Sequence, residues 1–123
     1  MVSQYYDWDR FKNIYLEDSF VLDIEESEDQ LSFVLEIVLT EGHPLHSPKN
    51  ENEQHCYKEG KIVFRKLKEI RWIRRNIRPY IDADGSKDYG NIDVFKLSAE
   101  GYHLEGDWGE VIINSSEPEV VWA

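Results

Sequence analysis

Phe20-Val21-Leu22-Asp23-Ile24-Glu25, then the polar link Glu26-Ser27-Glu28-Asp29-Gln30, then Leu31-Ser32-Phe33-Val34-Leu35-Glu36-Ile37-Val38-Leu39-Thr40: this stretch decides the fold class. Apolar residues recur every second position on both sides of the link. Successive side chains of an extended strand point to opposite faces, so a period of two marks a half-buried strand. A short polar link between two such runs makes them an antiparallel hairpin. Leu31, Phe33, Leu35, Ile37 and Leu39 are therefore predicted to share one buried face. Val34 and Val38 predict that the second face is partly covered as well.

Upstream of the hairpin, Trp8, Phe11 and Tyr15 recur at helical spacing, and Asp7 is placed to cap. A short N-terminal helix and a wrapped aromatic arm both fit. Downstream, Gly42, Pro44, Ser47, Pro48, Asn50 and Asn52 punctuate a loop over residues 41–54. Alternation returns at Tyr57 and leads through Gly60 to Ile62-Val63-Phe64. A strand over 69–74 follows, with Ile70 and Trp72 facing one way. A rival reading puts Val63, Leu67, Ile70, Ile73 and Ile77 on one helical face, so residues 65–78 read as strand or helix. The β-branched content favours the strand. A loop spans 79–91, and further strands are expected near 92–97, 102–104, 111–113 and, as an edge strand after Pro118, 120–122. The fold class is mainly β: a single domain over 1–123, an antiparallel sandwich or partly open barrel of about seven or eight strands.

Sixteen aromatic residues (four Trp, seven Tyr and five Phe) supply core area to the 123-residue chain. The lone cysteine, Cys56, rules out an internal disulfide and suits a reducing, cytoplasmic compartment. Residues 1–10 lack the apolar run of a secretory signal, and the apolar stretch 33–39 is too short to span a bilayer. The formal net charge of −11 disfavours nucleic acid and anionic membrane, and favours solubility or a basic partner. Nine of the 14 basic residues fall within 58–78. The arginines of this stretch either pair with carboxylates of neighbouring strands or form a patch for an acidic partner.

Chemical motifs are sparse. His43, His46, His55 and Cys56 lie close in sequence, but not at a zinc-binding spacing; they read as loop histidines and a buried thiol, and neither metal nor cofactor is expected there. Asp82-Ala83-Asp84-Gly85-Ser86-Lys87-Asp88 is faintly like a calcium loop, but its Gly is fourth rather than sixth, so a hairpin turn is the expectation. No nucleophile elbow, P-loop or dinucleotide fingerprint is present, and no catalytic residue is assigned.

Leu16-Glu17-Asp18-Ser19-Phe20-Val21-Leu22, Tyr57-Lys58-Glu59-Gly60-Lys61-Ile62-Val63-Phe64, Ile70-Arg71-Trp72 and Gly106-Asp107-Trp108-Gly109 together give a pattern that resembles small uncharacterised bacterial β-rich domains. Some such acidic, stand-alone domains act as immunity proteins beside polymorphic toxins. The acidic charge and the sparse chemistry point to a non-enzymatic domain that binds a protein partner, an immunity-like role being one instance. For such a partner, one with a basic surface, the candidate contacts are the acids of the first hairpin: Asp23, Glu25, Glu26, Glu28 and Asp29. The alternative is a small-molecule binder with a pocket lined by Trp72 and Trp108, and a third reading is an enzyme of unassigned class.

Overall fold

The computed structural model describes residues 2–46 and 56–123. Among these residues eleven strands follow in order: β1 (Ser3–Gln4), β2 (Ile14–Glu26), β3 (Gln30–Leu39), β4 (Cys56–Arg65), β5 (Glu69–Arg75), β6 (Tyr80–Ile81), β7 (Lys87–Asp88), β8 (Val94–Ser98), β9 (Gly101–Gly106), β10 (Gly109–Asn114) and β11 (Glu119–Trp122). All pairings are antiparallel. One sheet has the order β1-β8-β9-β10-β5, a second β11-β4-β3-β2, and β6-β7 form a small hairpin. The two larger sheets face each other across one core and keep separate edges, which makes a sandwich and not a closed barrel. No helix among the described residues is long and apolar enough to cross a membrane.

The eight strands expected from alternation are all present. The other three, β1, β6 and β7, have two residues each, too few for any periodic signal. The hairpin β2–β3 forms as read, and Leu31, Phe33, Leu35, Ile37 and Leu39 are all fully buried. On the other face, Val38 stands in one cross-strand row between Tyr15 and Tyr57, and it is also buried. Residues 69–75 are a strand. Ile70 and Trp72 pack on the core while Ile73, which a helical face would have buried, is 52% exposed beside a bulge against Glu110 and Val111.

The N-terminal segment departs from the helical expectation. It makes two single 3-10 turns, Tyr5–Asp7 and Asp9–Phe11, separated by extended backbone at Trp8. The reason is reach: β1 belongs to one sheet and β2 to the other, so residues 5–13 must cross between them. Tyr5, Trp8 and Phe11 drop onto Phe95 from this crossing, with ring centroids 6.0, 5.1 and 5.4 Å away. Tyr5 also fastens the crossing, since its hydroxyl donates to Glu17 and accepts from the Leu16 N–H.

β2 leaves the β3 ladder between Tyr15 and Phe20. Ser19 is buried in this bulge; its hydroxyl donates to the Tyr15 carbonyl (2.8 Å) and accepts from Val38 N–H (2.9 Å). Beyond the bulge, Val21 exchanges backbone hydrogen bonds with Tyr89 and Gly90. The loop after β7 thereby covers part of an edge that would otherwise invite pairing.

Candidate functional site

The five-stranded sheet buries Phe95, Leu104, Val111 and Ile113 on its inner face. Alternation then sends Lys96, His103, Glu105 and Glu110 to the outer face. The β9–β10 connection is a two-residue turn, Asp107-Trp108, between the paired Gly106 and Gly109. Gly109 has φ +145°, and a side chain there would meet the Arg74 carbonyl oxygen at 2.3 Å, so this turn demands glycine. Its register puts Glu105 directly opposite Glu110 and His103 one diagonal away. His103 Nε2 lies 2.7 Å from Glu110 Oε2, with the two side chains only 19% and 23% exposed. The donor atoms of His103, Glu105 and Glu110 all lie within 4.8 Å of one another; this is the one such His/Cys/Asp/Glu group among the described residues.

Negative charge accumulates around this group. Asp93 N–H donates to the Glu105 carbonyl, and the Asp107 carboxylate lies against Gly90 and accepts from Tyr80 Oη at 3.2 Å. Burial, then the charges of Asp107, Glu105 and Glu17, push the Asp93 carboxyl above the ordinary aspartate range. Among the described residues no Lys or Arg forms an ion pair with Glu17, Asp93, Glu105 or Asp107.

The five hairpin acids, Asp23, Glu25, Glu26, Glu28 and Asp29, are all exposed. Two of them form ion pairs within the molecule: Glu25 with Lys61 at 2.9 Å and Glu26 with Arg75 at 3.5 Å. The hairpin turn also abuts the basic β4–β5 turn, where Leu67 N–H donates to the Asp29 carbonyl between Lys66 and Lys68. Two further arginines of the basic stretch find carboxylates on other strands and turns, Arg65 with Glu119 at 2.7 Å and Arg71 with Glu100 at 3.4 Å. These pairs are about half exposed and each contributes little, on the order of 0–1 kcal/mol.

Trp72 and Trp108 do meet, edge to face at 6.1 Å. Trp108 is fully buried against Phe33, and Trp72 is spanned by the Arg75 guanidinium at 4.5 Å, with its indole N–H on Glu26. Trp108 thus belongs to the core, and Trp72 packs against it, partly buried. Grooves lie elsewhere, on either side of Trp122: one of ≈ 240 Å³ along Val34, Gly60, Lys61 and Val121, and one of ≈ 270 Å³ beside Arg10, His43 and Glu119. His43 packs edge-on against Trp122 and its Nδ1 accepts from Leu45 N–H. Burial, with a smaller contribution from His46, lowers its pKa. Among the described residues His43, His46 and Cys56 do not gather with any third ligand, and His55 lies outside those residues. Residues 82–86 form the turn of the β6–β7 hairpin, with the Ser86 hydroxyl donating to Asp82 and the Ser86 N–H to Asp84.

Sequence reasoning passed over His103, Glu105 and Glu110. A signal was available, because a two-residue turn at Asp107-Trp108 fixes the register that makes Glu105 face Glu110. No family model, curated protein or solved structure matches the chain.

Proposed function

We propose that this chain is a non-enzymatic acidic domain that binds a protein partner through that partner's basic surface, an immunity-like role being one instance. The observation that carries the reading is the patch of un-neutralised carboxylates at Glu17, Asp93, Glu105 and Asp107. Such a patch raises the local concentration of a cationic surface and speeds encounter. The hairpin acids contribute less, since Glu25 and Glu26 already hold Lys61 and Arg75. A small-molecule site has weaker support. Two grooves among the described residues, of ≈ 240 and ≈ 270 Å³, fall below the roughly 300–1,000 Å³ usual for ligand pockets.

The test is affinity capture from host lysate with three baits: wild type, Asp93→Asn with Asp107→Asn, and Glu25→Lys with Glu26→Lys and Glu28→Lys. The expected result is a basic protein held by wild type, lost by the Asp93/Asp107 variant and weakened by the hairpin variant. Recovery of the same proteins by all three baits, or of none by wild type, would refute the reading.

A further inference from the structure

The geometry points to a divalent-metal site, of the kind zinc occupies, formed by His103 Nε2 and the carboxylates of Glu105 and Glu110. The donor set is the first argument. One imidazole nitrogen with two carboxylate oxygens suits Zn²⁺, and three protein ligands leave a fourth position for water. Position is the second. All three side chains stand on the adjacent strands β9 and β10, whose register is pinned by the glycine-flanked turn, so the backbone under the donors is rigid.

Distance is the third. Bonds of about 2.0–2.2 Å in a tetrahedron put ligand atoms roughly 3.3 Å apart. The His103–Glu110 contact at 2.7 Å has to open slightly, and the widest separation, within 4.8 Å, has to close by about 1.5 Å at most. Rotation of glutamate side chains covers that span without moving the strands.

Charge is the fourth argument. Like charges directly opposite each other across a ladder destabilise it, yet Glu105 and Glu110 face one another, half-buried. Arg74 is opposite Glu110 on β5, but its guanidinium donates to the Gly106 carbonyl at 3.1 Å. Lys96 is opposite His103 on β8 and makes no ion pair with either glutamate. A bound cation supplies the positive charge that no Lys or Arg brings to this pair, and the carboxylates of Asp93 and Asp107 add to the field that attracts it.

The experiment is calorimetric titration of the full, metal-free chain with zinc chloride near neutral pH. It is run on wild type, His103→Ala, Glu110→Gln and the double variant His43→Ala/His46→Ala. Imidazole ¹H–¹⁵N spectra of each protein report which ring moves and confirm that each variant is folded. Saturable zinc binding by wild type is expected, with the His103 resonances shifting. Binding should be lost in His103→Ala, weakened in Glu110→Gln, and kept in the double variant. The site is overturned if His103→Ala binds as wild type does, if only the double variant loses binding, or if wild type takes up no zinc.

Discussion

Asp93 carries the clearest electrostatic liability at the scale of single residues. Its ionised carboxyl is penalised in the folded state, by burial first and then by Asp107, Glu105 and Glu17. The folded group therefore titrates above its unfolded value. The stability held by its protonated form is complete below the ordinary aspartate range and is lost as pH rises through the raised value. Asp93→Asn removes the charge without changing the shape. The variant should melt higher than wild type at neutral pH, and the difference should vanish near about pH 3, where both side chains are neutral. Melting curves at the two pH values check this, and a variant less stable than wild type at neutral pH would contradict it. Tyr5 is the opposite case, a polar group whose burial is satisfied on both sides. Burial, and then its bond to Glu17, raise its phenol pKa far out of the physiological range, so it serves as a permanent donor.

At the scale of elements, β3 organises the sandwich. Its apolar face is buried along its whole length, and it is paired on both sides, with β2 and β4. Leu35→Ala at its middle should cost about 2–5 kcal/mol by denaturant titration, the range for a cavity left in a packed core. A loss under about 1 kcal/mol would mean that the face collapses around the gap. β3 was also the most legible element, because strict alternation over ten residues has no competing reading. The other long strands were legible from shorter apolar runs between turn signals, and β1, β6 and β7 were not, since two residues have no period. The basic stretch was ambiguous because a bulge at Ile73 slipped an extra apolar residue outward, which made a strand look helical. Of the candidate sites, exposure of the hairpin acids was legible, and which of them would be paired, Glu25 and Glu26, was not. Lys61 is 36 residues from Glu25 and Arg75 is 49 from Glu26, and such separations leave no local trace. Trp72 and Trp108 meet edge to face, a contact between residues 36 apart that no local pattern shows.

On the scale of the whole molecule, the charge excess is not spread over the surface. Four of the nine basic residues in 58–78 are held in pairs with Glu25, Glu26, Glu100 and Glu119, while Asp93, Glu105 and Asp107 gather, without a basic partner among the described residues, at the loop before β8 and the outer edge of β9. The order of strands in the two sheets has a further consequence, for the time course of folding. The five-stranded sheet takes β1, β5, β8, β9 and β10, and the four-stranded sheet takes β2, β3, β4 and β11, so neither is a contiguous piece of chain. β1 must find β8 across some ninety residues, as Ser3 pairs with Leu97, and β11 must return to β4, as Glu119 pairs with Val63. Closing such loops costs entropy before any contact repays it, and chains dominated by distant pairings fold in about milliseconds to seconds. Stopped-flow refolding followed by Trp fluorescence should fall in that window, and microsecond folding would be at odds with this interleaving. Until the last strand arrives, the β2–β3–β4 ribbon carries an uncovered apolar face, so the nascent chain is most prone to clump at that stage.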